Sequence, residues 1–411
     1  MAARTTRVIL RKNLRRTIAA GHPWIFRDAL APFDAAPGSV VTVVDARGAF
    51  VARGWSETGP IAVRVLTTQD EPVDEALLQR RLDAAVALRA RVIEPDTDAY
   101  RLLHGEGDRV PGVVCDRYGA WASVQLDGEA AQSWQPRLLA LLRPTLESQG
   151  VRGVLVRSGR RGHKRVELAW GELPPVPLTV REPGLSLCGD LVAGQKTGLF
   201  LDHRVARRRV RELSAGLRVL DLYAYIGGFS AAAGLGGAAS VDTVDVAAAA
   251  IELSAQTWAA NGLPPQRRCG HASDVAALLS EFAAQRRRFD LVIADPPSFA
   301  PSEASKPAAL QAYAQLFAGA LALLEQGGLL LAASCSSHVR MPEFEAALGE
   351  GAGKARRVLQ VLERWGAPPD HPRLLAFPEG DYLKVVLARA CDDARVPRRP
   401  LAPRRAPDGM G

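Results

Sequence analysis

The order of hydrophobic and polar positions divides the chain into stretches of different period. Between Val40 and Leu66 apolar and polar residues alternate in short runs, Val40-Val41-Thr42-Val43-Val44, Phe50-Val51-Ala52-Arg53-Gly54-Trp55 and Ile61-Ala62-Val63-Arg64-Val65-Leu66, separated by turns containing Gly and Asp. Runs of period two bounded by such turns predict a small β-barrel or meander. Over residues 72 to 93 the period becomes helical, with Leu77, Leu78, Leu82, Val86 and Leu88 on one stripe. A mixed segment follows from about Tyr100 to Val180, with strand-like runs around Val113, Val124 and Val154. Its proline-rich end, Leu173-Pro174-Pro175-Val176-Pro177, reads as a linker or edge strand.

After Gly184 strand and helix alternate regularly to about Arg389. The strands are legible as 217–222, 241–245, 289–295 and 328–334. Their apolar runs are continuous, which implies burial on both faces, and the alternation with helices predicts a doubly wound parallel sheet. The expected organisation is a β domain at 1–70, a linker helix and α+β middle domain at 71–183, an α/β domain at 184–390 and a tail at 391–411. Residues 392–411 hold five arginines and four prolines and read as a disordered basic tail.

Composition narrows the function. With 411 residues, 47% of them hydrophobic and 23% charged, the chain is expected to fold nearly throughout as two or three domains. The net charge of +8 favours nucleic acid as partner. The basic residues cluster: Arg4, Arg7, Arg11, Lys12, Arg15 and Arg16, then Arg157, Arg160, Arg161 and Lys164, then Arg204, Arg207, Arg208, Arg209 and Arg211. Three such clusters suggest a surface that tracks phosphates. The five cysteines are widely spaced and include no C-x-x-C pair, which argues against a disulfide framework and a structural zinc site. The histidines show no paired ligand spacing, so no metal is expected. No apolar run is long enough for a membrane span or a secretory leader, and the cytoplasm is the expected compartment.

In an open parallel sheet ligands bind beyond the carboxyl ends of the strands, so the residues that end each strand carry the chemistry. The first delivers Asp221 and then Tyr223, Ala224, Tyr225, Ile226, Gly227 and Gly228. The two glycines serve either a tight turn or the close approach of a ligand to a helix N-terminus. The second ends at Asp245, whose carboxylate suits the hydroxyls of a ribose. A dinucleotide fingerprint is absent from the first turn, which favours S-adenosylmethionine over NAD. The fourth ends in Asp295-Pro296-Pro297-Ser298-Phe299, where the prolines hold the backbone extended and Phe299 offers a face to a flat base. The fifth ends in Ser334-Cys335-Ser336, a position that suits a small buried side chain or a nucleophile beside Asp295.

From about Arg7 to Ala388 the chain resembles the bacterial large-subunit ribosomal RNA cytosine-5 methyltransferases that carry an N-terminal PUA domain. The residues that carry the resemblance are Gly21-His22-Pro23-Trp24-Ile25-Phe26, Leu103-His104-Gly105-Glu106-Gly107-Asp108, Gly194-Gln195-Lys196-Thr197-Gly198 with Leu201-Asp202-His203-Arg204, Asp295-Pro296-Pro297, Ser334-Cys335-Ser336, and Asp370-His371-Pro372 with Pro378-Glu379-Gly380-Asp381-Tyr382-Leu383-Lys384. The resemblance implies a class I methyltransferase sheet behind a PUA-like RNA-binding domain. It implies S-adenosylmethionine as cofactor, held by Asp202, Arg204, Asp245, Asp274 and the Gly227 turn, and Cys335 as the nucleophile that adds to carbon 6 of a cytosine in ribosomal RNA.

Asp221, Tyr223, Tyr225, Gly228 and Asp295 complete the expected cofactor set, and Asp295 doubles as the acid for nitrogen 3 of the base. Lys196, Pro296, Pro297, Phe299, Arg11, Lys12, His22 and Trp24 are the expected substrate contacts. A homodimer is compatible with the sequence. Two departures keep alternatives open: Ile226 stands where such enzymes have Thr, and Ser298 where they have Lys. Asp-Pro-Pro-Ser-Phe is shared with a sister group that methylates guanine N7 but lacks the Cys. The alternatives are therefore a guanine-N7 or exocyclic-amine methyltransferase without a covalent step, or a non-catalytic RNA-binding assembly factor.

Overall fold

The computed structural model describes residues 5–159, 165–194 and 197–391. At the N-terminal end five strands form one sheet, ordered Thr6–Ile9, Val40–Val44, Phe50–Ser56, Ile61–Thr67 and Trp24–Phe26, around a core of Val8, Ile25, Val41, Val43, Ala52 and Val63. The strands Thr6–Ile9 and Trp24–Phe26 add to the three expected from the alternation. Each buries a single residue, Val8 or Ile25, which is too little to show a period.

The middle segment is a second five-stranded sheet, ordered Arg165–Gly171, Gly153–Ser158, Trp121–Leu126, Val113–Tyr118 and Ala99–His104. The helix Glu75–Val92 begins where the Asp74 carboxylate accepts the Leu77 amide at 3.0 Å, and its Leu77, Leu78 and Leu82 join the core of this sheet. The two N-terminal sheets are tied by Arg64, which reaches Glu57 at 3.2 Å, Glu106 at 2.7 Å and Asp127 at 3.1 Å. Its guanidinium and the Glu57 carboxylate are almost completely buried.

The C-terminal part is a seven-stranded sheet. Its strands are β1 (Arg218–Leu222), β2 (Ser240–Asp245), β3 (Arg268–Ala272), β4 (Phe289–Ala294), β5 (Leu324–Ser334), β6 (Val358–Trp365) and β7 (Lys384–Cys391), in spatial order 3-2-1-4-5-7-6. The first five are parallel and β7 runs antiparallel between β5 and β6. Alternate residues feed opposite faces: Val219, Leu291, Ile293 and Leu331 enter one core, Leu220, Leu222, Val292 and Leu330 the other. The helices are α1 (Arg204–Leu213), α2 (Gly228–Leu235), α3 (Ala248–Ala260), α4 (Val275–Ala284), α5 (Lys306–Ala322) and α6 (Met341–Ala355). This is the α/β architecture expected, with the sheet covered on both sides. Among the described residues no helix is long and apolar enough to cross a membrane.

Two expectations change. The boundary at 183/184 falls in the turn of a hairpin, Leu178–Glu182 with Leu185–Gly189, whose Leu178, Val180, Leu185 and Leu187 all pack into the core of the seven-stranded sheet. The basic clusters are largely structural. Arg207 pairs with buried Glu182, Arg204 with Asp370 at 2.6 Å, Arg208 with Glu94, and Arg209 with Glu212 and Glu363. Arg157 is buried and donates to the carbonyls of Leu191 and Gly194. Near the N-terminus Lys12 pairs with Asp28 and Arg15 with Asp45, while Arg11 stays exposed. Arg160, Arg161, Lys164 and the tail 392–411 lie outside the described residues.

Replacing Arg64 by Ala would leave Glu57 and Glu106 without their shared cation. Removing one member of a buried ionic group costs about 3–5 kcal/mol. Urea unfolding of Arg64→Ala should show a loss of that order, with Arg64→Lys recovering part of it, because an ammonium cannot serve three carboxylates as a fork does. A loss below about 1 kcal/mol would contradict this account.

Candidate active site

The ends of β1, β2, β4 and β5 open onto one cleft. It is lined by Leu187, Phe200, His203, Arg207, Tyr223 to Ile226, Gly228, Phe229, Asp245, Val246, Asp295, Pro296, Pro297 and Cys335. The turn after β1 is built from left-handed backbone, with φ of 61° at Tyr223, 48° at Tyr225 and 72° at Gly227. Non-glycine residues pay for that conformation, so the turn depends on outside support. It comes from Asp245, whose Oδ2 accepts the Tyr225 amide at 2.9 Å, from the Val244 carbonyl, which takes the Ala224 amide at 2.9 Å, and from the Gly198 carbonyl, which takes the Tyr225 hydroxyl at 2.9 Å. A Cβ on Gly227 would lie 2.6 Å from Ser254 Cβ, so glycine is required there by space as well as by φ.

Asp245 accepts one backbone amide on each oxygen, from Tyr225 and Ala247. A carboxylate has roughly four lone-pair sites, so each oxygen keeps capacity toward the cleft. Beside it Val246 is 74% exposed, an apolar side chain on the rim of a polar strand end. Asp221 lies one layer below. It is fully buried, accepts the Ser230 hydroxyl at 2.6 Å, and its Oδ1 has no partner. Burial, opposed by the bond from Ser230, pushes its carboxyl up to about 7.

At the other side of the cleft, Asp295 follows β4 and its Oδ2 lies 3.0 Å from His203 Nε2. Cys335 follows β5 and is partly exposed. The two loops are stitched together: Ser336 Oγ lies 3.0 Å from Ser298 Oγ, 3.1 Å from the Tyr313 hydroxyl and 3.4 Å from the Ala300 amide. Beneath them Lys384 is buried and donates to the carbonyls of Ser336 and Tyr382. Ser298 therefore has a local partner in this chain, and Ile226 is 5% exposed and belongs to the apolar core behind the turn.

Of the expected site residues, the fold brings Tyr223, Tyr225, Gly228, Asp245, Asp295, Pro296, Pro297 and Cys335 to the cleft wall, with Gly227 within its turn. Others stand elsewhere. Arg204 faces Asp370 and the Ala99 carbonyl, and Asp202 is buried and accepts the Tyr382 hydroxyl at 2.9 Å. Asp274 caps α4 through the Ala277 amide at 3.0 Å, although its charge adds to the burial that raises the Tyr223 hydroxyl to about 12. Phe299 packs its ring 4.9 Å from that of Tyr313 rather than offering it to the cleft. Trp24 meets Phe377 edge-to-face, with ring centroids 4.6 Å apart, and donates to Glu106, His22 meets the same Phe377 edge-on, and Lys12 is bound to Asp28. Trp24 and His22 thereby fasten the N-terminal sheet to the rest of the chain, while the Lys12 pair lies within the N-terminal domain. Lys196 lies outside the described residues.

His203, Phe200, Phe229 and Val246 were not singled out as site residues from the sequence, and Arg207 was named only within a basic cluster. His203 stands inside the quoted Leu201-Asp202-His203-Arg204, which is the one signal that could have marked it.

Comparison with known proteins places this geometry. The family model described as S-adenosylmethionine-dependent methyltransferase matches residues 101–388, and that of the PUA-like domain matches residues 8–68. A protein of Erwinia tasmaniensis named "Ribosomal RNA large subunit methyltransferase I" is 34% identical over 393 residues, covering 94% of this chain and 99% of its own. One of the same name from Tolumonas auensis is 35% identical, covering 94% of this chain and all of its own. Among solved structures, one described as a SAM-dependent methyltransferase from Streptococcus mutans superposes with a TM-score of 0.83 at 21% identity, covering 94% of this chain and all of that one. Another, a methyltransferase in complex with SAH, gives 0.84 at 22%, with the same coverage of both chains.

The raised carboxyl of Asp221 carries a stability consequence. Its ordinary value is near 3.9, so between about pH 4 and 7 the folded protein holds a proton that the unfolded chain has released. Stability must then fall as pH rises through that window and stay lowered above it. In thermal unfolding without ligand, Asp221→Asn should gain on the natural protein by about 1–3 kcal/mol at pH 8 and lose that advantage near pH 4. An advantage that does not change with pH would refute the assignment.

Proposed function

The chain belongs to the S-adenosylmethionine-dependent methyltransferase family with an N-terminal PUA-like domain, and on that premise we propose that it methylates carbon 5 of a cytosine in large-subunit ribosomal RNA, with Cys335 as the covalent nucleophile. The observation that carries this reading is the pairing of a partly exposed Cys335 with Asp295 across one cleft, at the ends of neighbouring parallel strands.

The cleft fits the cofactor on its own chemistry. Asp245 keeps acceptor capacity for two ribose hydroxyls, exposed Val246 offers an apolar face to a purine, and Gly228 opens α2 with no Cβ between its amides and a ligand. S-adenosylmethionine supplies an electrophilic methyl group.

The protein's task is the other half of the reaction, because carbon 5 of cytosine is a weak nucleophile. Addition of the Cys335 thiolate to carbon 6 would form an S–C bond and move the ring electrons toward carbon 5, making it a nucleophile for the methyl group that the cofactor would supply, whose bond to the sulfonium sulfur would break as the new carbon–carbon bond forms and leave a neutral thioether. Transfer of the carbon 5 proton to a base or to water would then return the electrons to the ring and break the S–C bond, releasing the thiolate. Asp295 is the group that meets nitrogen 3, and His203 at 3.0 Å fixes which way its carboxyl faces. Pro296 and Pro297 lack amide hydrogens, so the loop offers acceptors rather than donors to the exocyclic amine. The target base must leave its stack, which favours an RNA loop or an unfolded assembly intermediate. In this reading the PUA-like sheet and its exposed Arg11 contribute RNA affinity from outside the cleft.

Two measurements test the proposal. Asp245→Ala should weaken S-adenosylhomocysteine binding by tenfold or more in calorimetry, whereas Cys335→Ser should bind it normally and methylate at least about 10^3-fold more slowly. Nucleoside mass spectrometry of ribosomal RNA from cells with and without the gene should show the loss of one 5-methylcytidine. Loss of a methylguanosine, or normal turnover by Cys335→Ser, would sink the covalent reading.

A further inference from the structure

Lys384 is 2% exposed, and a lysine is among the side chains least often found fully inside a protein. Burying an ammonium costs several kcal/mol unless charge and hydrogen bonds compensate. Hydrogen bonds are present, to the carbonyls of Ser336 and Tyr382, but both acceptors are neutral. Among the described residues no carboxylate forms a salt bridge with it. Asp381 in the preceding loop and Glu343 on α6 act on it only from a distance, and more weakly than Cys335 does.

The position of this lysine relative to Cys335 is set by the sheet. In the antiparallel pairing of β5 with β7, Lys384 stands opposite Ser334, the residue before Cys335. Its ammonium then reaches the carbonyl of Ser336, the residue after Cys335. The residue thus flanks the turn that presents the sulfur, through its backbone register with Ser334 and its ammonium on the Ser336 carbonyl. Among the described residues other ionisable groups around this turn are Tyr313 on α5, bonded to the hydroxyls of Ser334 and Ser336, and Asp295 and His203 across the cleft. None of these supplies a positive charge under the turn as a fixed lysine does.

We propose that Lys384 is a positioning residue whose buried ammonium is the counter-charge of the Cys335 thiolate and keeps that sulfur ionised before the base arrives. The inference rests on Cys335 being the nucleophile and names what activates it. The thiol proton leaves to solvent through the open cleft, the ammonium keeps its three protons, and the thiolate supplies the anion that the buried cation lacks. Burial pulls Lys384 down to about 8 while the nearby sulfur opposes that fall, which is the direction an ammonium–thiolate pair requires.

The test is the pH dependence of alkylation of Cys335 by iodoacetamide in the full-length protein, followed by mass spectrometry of the Cys335 peptide, with exposed Cys269 as internal reference. In the natural protein Cys335 should be half-maximally reactive about one pH unit or more below Cys269. Lys384→Met should raise that midpoint by about one unit and slow alkylation near pH 7 about tenfold, while Lys384→Arg should keep it within a few tenths. A midpoint at or above that of Cys269 in the natural protein overturns the proposal without need of any variant. An unshifted midpoint in a Lys384→Met protein that still binds S-adenosylhomocysteine also overturns it, and leaves Lys384 as a brace for two carbonyls. Normal methylation by Cys335→Ser would instead defeat the nucleophile itself, so the two failures are separable.

Discussion

Asp370 holds the molecule's two larger parts in one frame. Its carboxylate has no exposed surface, accepts Arg204 at 2.6 Å and the Arg101 amide at 3.0 Å, and lies 3.2 Å from His371. Burial alone would raise it, yet His371 and Arg204 more than offset that and hold it well below the usual carboxylate range. Its own carbonyl takes Arg89, which grips Asp108 with both nitrogens at 2.7 Å. Through this one residue the middle sheet, α1 and the loop before β7 are fixed to each other. A buried carboxylate with a single partner would be a liability; one with several hydrogen-bonded partners fixes a unique docking geometry. Close backbone approach completes the joint, since a Cβ on Gly107 would lie 1.9 Å from the Pro372 carbonyl oxygen.

What the sequence made legible follows from where the information lies. Strands β1, β4 and β5 are buried on both faces, so their apolar runs announce them, and the residues that end a buried strand are in known positions at the edge of the sheet. Asp245, Asp295 and Cys335 could be placed that way. The arginines could not. Whether Arg204 or Arg207 meets phosphate or a carboxylate depends on Asp370 and Glu182, which come from distant parts of the chain, and a local charge run carries no sign of them. The ring neighbours of Trp24 and Phe299, Phe377 and Tyr313, were illegible for the same reason, since only the fold supplies them.

The two departures from the family pattern also become local packing facts. Ser298 shares its hydroxyl with Ser336 and so joins the loop after β4 to the turn after β5. Ile226 closes the apolar core under the β1 turn. Neither change removes a group from the cleft that the remaining residues need for positioning, since the turn is held by Asp245 and Gly198, and the Cys335 turn by Tyr313, Ser298 and Lys384.

The order in which these supports act matters for catalysis. Asp245 is oriented by the Tyr225 and Ala247 amides independently of any ligand, and the same bond to Tyr225 stabilises a left-handed residue that would otherwise cost about 1–3 kcal/mol. One carboxylate therefore both supports the strained turn and keeps acceptor capacity toward the cleft. A site arranged in this way pays its conformational cost during folding, from the packing of the sheet, rather than at the moment of binding. The same logic applies across the cleft, where His203 aligns Asp295 and the β5–β7 pairing sets Lys384 opposite Ser334, the residue before Cys335. Folding therefore sets the relation between the two sides of the cleft.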